Sequence, residues 1–170
     1  MEQALVKKAK SGDKDSFATL YLLYKDRLYR YAFYRLGNEA DALDALSICI
    51  THAFEGISAL KSEKAFSAWI FKIMHYSCAA VLRDRQKHAA SELSTIPEDA
   101  LSEDANTLRA EVKEALAQLS EGEREIVLLS TVAGYKSREI AALLGSTPGT
   151  VRSTLSRSLA KMRQFLSEER

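Results

Sequence analysis

The segment 136–163 constrains the fold of this 170-residue chain more than any other stretch. A short helical pattern stops at Gly145, and a second helix is predicted to begin at Thr147 and Pro148. Thr147 is a good N-cap, and Pro148 suits the first helical position because the N–H that it lacks would have no partner there. Two helices joined by a turn of about three or four residues containing Gly form a helix-turn-helix, whose second helix enters the DNA major groove.

The second predicted helix has two chemically distinct faces. At 100° per residue, its apolar residues share one arc: Val151, Leu155, Leu159, Met162 and Leu166. The other arc is basic and short-chained: Arg152, Ser153, Ser156, Arg157, Ala160, Lys161 and Arg163. Arg and Lys suit phosphates and guanine edges, and small side chains let a helix lie deep in a groove. We therefore predict a DNA-contacting face; the alternative is a solvated basic face on a C-terminal helix.

The net charge of +1 conceals a segregation of charge along the chain. Residues 1–87 carry 14 basic and 10 acidic side chains, residues 88–111 carry 1 and 6, and residues 112–170 carry 9 and 7. A nearly neutral total is therefore compatible with two weakly basic modules joined by an acidic tether.

The apolar periodicity predicts an all-α fold of two small helical bundles. With only 7 Gly, 2 Pro and few β-branched runs, the composition agrees. The first bundle spans residues 1–87: a helix over 2–10, one from Asp13 or Asp15 to Gly37, one capped by Asn38, and a fourth that follows a break at 60–62.

A flexible acidic linker is predicted over residues 88–106, which are rich in Ser and Ala and contain Pro97. The second bundle spans 107–170. Its first helix is predicted from about Thr107, and Ser120 with Glu123 has the form of a capping box before the next helix.

The residues that could support other classes of function are sparse. Cys49 and Cys78 are too few for a disulfide scaffold and lie in helical apolar patterns, which predicts buried free thiols. The three histidines lack ligand-like spacing, and neither a Gly-rich phosphate loop nor a nucleophile–base pair stands out. We expect no enzymatic activity, cofactor, metal or small-molecule substrate. No signal peptide and no stretch of the roughly 18–20 apolar residues needed for membrane insertion is apparent, so we expect a cytoplasmic protein.

The chain resembles a bacterial RNA polymerase sigma factor of the extracytoplasmic-function (ECF) type, in the sigma-70 family. The resemblance covers nearly the whole chain and is most specific near the C-terminus. Segments 116–119 and 123–127 resemble the start of the family's region 4, and segments 139–145 and 149–151 resemble its helix-turn-helix. In the first bundle, segments 17–24, 41–44 and 66–73 resemble region 2.

The resemblance implies partners and a role for each bundle. Region 4 of such factors reads the −35 promoter element as a duplex and contacts the polymerase β flap. Region 2 docks on a coiled coil of the β′ subunit and captures flipped bases of the −10 element. The polymerase performs the chemistry. ECF factors are often held inactive by a membrane-linked anti-sigma factor, so that partner is also implied.

By position, the resemblance assigns candidate residues to each contact. The −35 set is Arg152, Ser153, Ser156, Arg157 and Lys161. The polymerase-docking set is Asp41 and Asp44, although carboxylates in a first helical turn also favour the helix dipole without any partner. The −10 set comprises Lys61, Ser62, Lys64, Phe66, Lys72, His75, Tyr76, Arg83, Arg85 and Lys87. Tyr76 would stack on a base where the family has an amide nearby, whereas Trp69 is expected to anchor the core.

Two other functions remain open from the sequence. A sigma-like decoy would present these surfaces to an anti-sigma factor without serving polymerase. A plain helix-turn-helix regulator would bind DNA through residues 107–170 alone.

Overall fold

The computed structural model describes the backbone of residues 1–88 and 103–169, and the side chains of residues 1–88 and 109–169. Every regular element in these ranges is helical, which confirms the all-α prediction. The chain divides into two compact units, Met1–Glu92 and Leu93–Arg170. The described part of unit 1 contains α1 (Glu2–Lys10), α2 (Lys14–Leu36), α3 (Glu39–Gly56) and α4 (Phe66–His88). The described part of unit 2 contains α5 (Glu103–Ala117), α6 (Glu121–Thr131), α7 (Ser137–Leu144) and α8 (Pro148–Glu168).

The helix ends in unit 1 follow local side-chain chemistry. Asp13 is the N-cap of α2, where its carboxylate accepts the Asp15 N–H at 3.1 Å. A hydrogen bond from the Ser16 hydroxyl is the main cause that lowers the pKa of Asp13. α2 ends at Gly37, whose φ of 85° is left-handed, and Asn38 then caps α3 by accepting the Asp41 N–H at 2.9 Å.

The core of unit 1 lies between α2, α3 and α4, and α1 packs against α2. Its largest fully buried side chains include Tyr31, Phe71 and Leu28. The Tyr31 and Phe71 rings meet edge to face with centroids 6.0 Å apart, a favourable arrangement for aromatic pairs. Burial of this apolar surface accounts for most of the stability of such a bundle.

The stretch Glu63–His88 is long and apolar enough to span a membrane by length and composition alone, contrary to the expectation that the chain has no such stretch. Its apolar side chains face the protein core, where Ile70, Phe71 and Met74 are fully buried among the helices of unit 1. Core helices of globular proteins have the same apolar content. α4 is therefore accounted for as a core helix of unit 1.

Unit 2 is organised around α8, which packs against α5, α6 and α7. Ser120 and Glu123 form the predicted capping box at the start of α6: the Ser120 hydroxyl accepts the Glu123 N–H, and the Glu123 carboxylate accepts the Ser120 N–H. Arg124 joins α6 to the end of α5, since its guanidinium donates to the carbonyls of Leu116 and Leu119 at 3.0 and 3.2 Å.

The start of unit 2's first helix differs from the prediction. α5 begins at Glu103 rather than near Thr107, and His88 is the last residue of α4, so both edges of the predicted 88–106 linker are helical. Acidic residues are favoured in the first turn of a helix, so an acidic segment does not exclude one. The remainder of the predicted linker, including Pro97, lies outside the described residues.

Candidate nucleic-acid interface

The turn between α7 and α8 sets where the second helix begins. Gly145 ends α7 with a left-handed φ of 67°, and its N–H bonds to the Ala141 carbonyl. Thr147 then caps α8 by accepting the Thr150 N–H at 3.3 Å, and Pro148 occupies the first turn. The helix-turn-helix predicted from these residues is confirmed.

The inward side of α8 begins at Val151, which is fully buried. Leu155, Leu159, Met162 and Leu166, the rest of the predicted apolar arc, are half-buried. Ser158, which the predicted apolar arc does not include, is also fully buried and donates to the Thr154 carbonyl at 2.7 Å. Ser158 lies seven residues after Val151, a spacing that returns to the same face of a helix. Its burial could therefore be predicted from its position along the helix, although not from its polarity.

The outward side of α8 is cationic and open to solvent. All five predicted −35 residues, Arg152, Ser153, Ser156, Arg157 and Lys161, are exposed. Successive members of this set are one, three, one and four residues apart, and together they span about 14 Å along the helix. An α-helix with its side chains is about 10–12 Å across, and the major groove of B-DNA, about 12 Å wide, admits a helix of that diameter.

Two carboxylates of unit 2, Glu139 and Glu123, have structural partners. Glu139, the single acid in segment 136–163, accepts the Lys136 N–H at 2.7 Å at the start of α7. Glu123 accepts from Lys161 Nζ at 2.9 Å, and that hydrogen bond is the main cause that lowers the Glu123 pKa. Lys161 therefore joins α8 to α6 and differs from Arg152 and Arg157, whose guanidinium groups face solvent.

In unit 1, a short connection between α3 and α4 presents three of the predicted −10 residues. This loop, residues 57–65, consists of two 3-10 turns, Ile57–Ala59 and Glu63–Ala65, on either side of an extended segment. Lys61, Ser62 and Lys64 are exposed on it. We call residues 57–65 the α3–α4 loop.

One side of α4 continues this exposed surface. Lys72, Tyr76, Arg83 and Lys87 are exposed, and their spacings of four and seven residues place them on a single face. Tyr76 is 53% exposed, a high value for an aromatic side chain on a core helix. A ring between cations on an open helix face is the arrangement that stacks on single-stranded bases while the cations contact the backbone.

Two predicted −10 residues lie in the core instead, and their assignment is corrected. Phe66 is 1% exposed and packs edge to face on Tyr24, with ring centroids 5.2 Å apart. His75 is also buried: Arg35 lies 3.2 Å from its Nδ1 and donates to its carbonyl at 2.8 Å. A guanidinium only donates, so Nδ1 of His75 is the acceptor. Neither side chain is available to a nucleic acid in this structure.

The structure joins one predicted docking residue to one predicted −10 residue. Asp41 accepts from Arg85, which also donates to the Leu36 carbonyl at 2.9 Å. Asp41 additionally accepts from the Asn38 amide at 2.8 Å. The pair links the start of α3 to the end of α4, whereas Asp44 is simply exposed on α3.

Metal and thiol chemistry have little support in the described residues. Within the ranges where side chains are described, no group of three or more His, Cys, Asp or Glu could hold a metal ion. Cys49 and Cys78 are buried free thiols, as predicted. Burial raises the pKa of Cys49 to about 12, which disfavours the reactive thiolate.

Two family profiles match the two units separately. Sigma-70 region 2 matches residues 20–88, and sigma-70 region 4 matches residues 109–162. Together they span more than half of the chain. The chain belongs to the sigma-70 family of RNA polymerase sigma factors. Region 2 thus contains the α3–α4 loop and the exposed face of α4, and region 4 contains the helix-turn-helix.

Similar proteins extend this likeness over the whole sequence and point to the ECF group. The chain is 26% identical to the ECF RNA polymerase sigma factor BldN of Streptomyces coelicolor, covering 97% of this chain and 66% of that protein. It is 27% identical to the sigma factor SigV of Bacillus subtilis, covering 95% and 98%. The solved structure of CnrH in complex with the cytosolic domain of CnrY has a TM-score of 0.75 at 22% identity, covering 99% of both chains.

The geometry of the α7–α8 turn yields a paired test of region 4. A Cβ at Gly145 meets nothing within 4 Å, so Gly145→Ala introduces only backbone strain at a positive φ. We expect a loss of about 1 kcal/mol in the stability of region 4. Gly149→Ala is the control: its Cβ also meets nothing within 4 Å but lies in the first turn of α8, so we expect no loss and a gain of up to about 1 kcal/mol.

Native-state hydrogen exchange at the amides of α8 measures this comparison for region 4 alone. Equal protection in the two variants would contradict the role assigned to Gly145.

Proposed function

We propose that this chain is an alternative sigma factor of the ECF type, which binds core RNA polymerase in the cytoplasm and directs it to promoters through −10 and −35 elements. The observation that carries the proposal is the cationic outer face of α8, which has no carboxylate of its own over residues 152–163 and is fixed outward by the burial of Val151 and Ser158. The chain supplies recognition, and the polymerase supplies catalysis.

Region 4 would bind the −35 element as duplex DNA. Arg152 and Arg157 have long side chains with planar donor groups that suit guanine edges or phosphates. The small side chains of Ser153 and Ser156 between them allow the helix to lie close to the floor of the groove. The positive end of the α8 dipole at Thr147 favours a nearby phosphate. Lys161 is engaged with Glu123, so we assign it a smaller part in binding than the two arginines.

Region 2 would hold the −10 element with its strands apart. Extruding a base costs a few kcal/mol, which new contacts must recover. The exposed loop residues Lys61 and Ser62 and the face of α4 with Lys72 and Tyr76 offer cations for the backbone and one aromatic surface for a base. Buried Phe66 supports the loop from below and is not assigned to a base.

Polymerase would dock on α3 through Asp44 and Asp41. Asp44 is exposed, so its charge is available to a basic partner. Asp41 serves the fold as well, through Arg85 and Asn38. The two carboxylates lie three residues apart and therefore face the same side of α3.

We also infer that an anti-sigma factor binds the chain. Among solved structures with the same fold, the sigma factor RpoE is in complex with the anti-sigma factor NepR from Bartonella quintana, and CnrH is in complex with the cytosolic domain of CnrY. Leu22, Leu23 and Phe54 are large apolar side chains about half or more exposed in region 2, so they are available to an apolar surface of a partner.

Transcription in vitro with core polymerase on a genomic promoter library tests the function directly. We expect start sites that depend on this protein and share −10 and −35 sequences. Recovery of an anti-sigma protein without β′, and without start sites, would instead identify a decoy. Equal binding of one site by isolated residues 103–170 and by the full chain would favour a plain regulator.

Arg157→Ala tests the −35 contact. If Arg157 reads a base edge, we expect its loss to weaken promoter binding by about 1–3 kcal/mol on the preferred −35 sequence. The loss should be smaller on templates in which the base that Arg157 contacts has been changed. If it contacts phosphate, we expect a similar loss on all sequences. Lys14→Ala, which removes an exposed cation from unit 1, is the control and should leave −35 selectivity unchanged. Parent activity of Arg157→Ala on every template would exclude both roles.

Asp44→Asn and Asp41→Asn separate polymerase docking from folding. We expect Asp44→Asn to weaken binding to core polymerase by roughly 0.2–1 kcal/mol without altering the unfolding midpoint, because its carboxylate is exposed. Asp41→Asn should weaken binding and also lower the midpoint, because it loses the pair with Arg85. Asp26→Asn, on exposed α2 surface, is the control. Unchanged polymerase affinity in both α3 variants would contradict docking on this face.

A further inference from the structure

The first helix of the chain packs against the loop that carries the predicted −10 contacts. α1 lies before residue 20, where the region 2 profile begins, and it contacts α2 and both 3-10 turns of the α3–α4 loop. Val6 and Ala9 of α1 are buried in these contacts, at 0% and 4% exposure. The helix is therefore part of the packed unit and adjoins the loop directly.

The α3–α4 loop is anchored by apolar side chains at both ends. Ile57 and Leu60 are buried on one side of its extended segment, and Phe66 is buried immediately after the loop. Each 3-10 turn is closed by a backbone hydrogen bond, Leu60 N–H to Ile57 O at 3.1 Å and Ala65 N–H to Ser62 O at 3.0 Å. Lys61 and Ser62 are left exposed between these anchors.

A polar contact joins the end of α1 to the second turn of the loop. Lys10 Nζ donates to Glu63 Oε1 at 3.3 Å, and the Lys10 and Glu63 side chains are 20% and 35% exposed. Hydrogen bonds from its own backbone N–H and from Lys10 lower the pKa of Glu63, so the carboxylate stays charged at neutral pH. Glu63 follows Ser62 directly, so this contact restrains the backbone next to the exposed segment.

The other end of α1 reaches the same region through Tyr24. The Tyr24 hydroxyl donates to Glu2 Oε1 at 2.9 Å, and the Tyr24 ring packs edge to face on Phe66. α1 thus has one polar contact to the loop itself and one, through an aromatic pair, to the residue that ends it.

We propose that α1 sets the conformation of the α3–α4 loop for −10 recognition, with Lys10 and Glu63 as positioning residues. The inference rests on the proposed function of that loop as the base-capturing segment. A loop already held in its binding conformation loses less entropy when a base is captured. It also discriminates better between bases, because the loop backbone cannot rearrange to fit an incorrect base. Lys10 and Glu63 act through the loop backbone rather than by touching DNA.

Four full-length variants test the proposal against the parent protein. Glu63→Gln and Lys10→Met each remove one charge with little change in size, and the exchange Lys10→Glu with Glu63→Lys restores a pair of reversed polarity. Lys8→Met is the matched control, an exposed lysine on the same helix. Two quantities are measured: hydrogen exchange at the amides of residues 61–65 in the free protein, and open-complex formation with core polymerase on promoters that differ only at −10.

We expect loop exchange in Glu63→Gln and Lys10→Met to accelerate about two- to five-fold, the range for an ion pair at the protein surface. Discrimination between preferred and altered −10 sequences should fall by a similar factor, while dependence on the −35 sequence stays at the parent value. The exchanged pair should recover both quantities in part. Lys8→Met should match the parent, and unchanged protection in the core of α2 should show that unit 1 remains folded.

The outcomes separate the two claims. Loop exchange that is unchanged in both single variants, or equally fast in Lys8→Met, overturns the positioning role of the pair. Faster exchange with full −10 discrimination overturns its role in recognition. Absence of promoter-specific starts with the parent protein overturns the proposed function itself, and the exchange data then still decide whether the pair restrains the loop.

Discussion

Burial of one side of α8 is the interaction on which the proposed DNA-binding surface of this protein depends. Val151 and Ser158 are fully buried, and α5, α6 and α7 pack against the helix. With that side fixed, the rotation of the helix is fixed, and Arg152, Ser156 and Arg157 have only the outward direction left. The basic side chains contribute little to this orientation, since exposed charges stabilise weakly. Apolar packing decides where the recognition chemistry points.

Unit 1 uses the same principle with a different surface. Phe66, Phe71 and Met74 fix α4 from within, so Lys72 and Tyr76 face solvent. The polar contacts then connect the ends of the helices: Asp41 with Arg85 joins α3 to α4, and Lys10 with Glu63 joins α1 to the loop. Apolar packing orients the helices, and the ion pairs restrain the places where they begin and end.

The features that sequence patterns predicted well were those set by local chemistry. The caps at Asn38, Ser120 and Thr147 and the stop at Gly145 depend on residues within four positions of each other, and all of them are present in the structure. The exposure of the α8 arginines followed from helical periodicity alone.

The features that the sequence did not reveal depend on tertiary contacts. His75 is polar and lies one residue before exposed Tyr76, yet it turns inward to Arg35, 40 positions earlier in the chain. Asp41 and Arg85 are separated by 44 positions, so no local sequence pattern predicts that they form an ion pair. Phe66 borders an exposed loop in sequence but lies beneath it in space. In each case the partner across the bundle, rather than the neighbouring sequence, decides the side chain's place.

Trp69 gives this protein a built-in optical probe of one unit. It is the single tryptophan of the chain and lies half-buried on α4, one turn beyond the loop. A methyl group at Gly56 would lie 3.5 Å from its indole Cζ2, so the ring covers the end of α3 where the loop departs. Its fluorescence emission therefore reports on the junction between the loop and the bundle. Unit 2 has no tryptophan, so it contributes nothing to this emission. A change in the tryptophan spectrum on adding a ligand therefore indicates a change in the surroundings of Trp69 in unit 1.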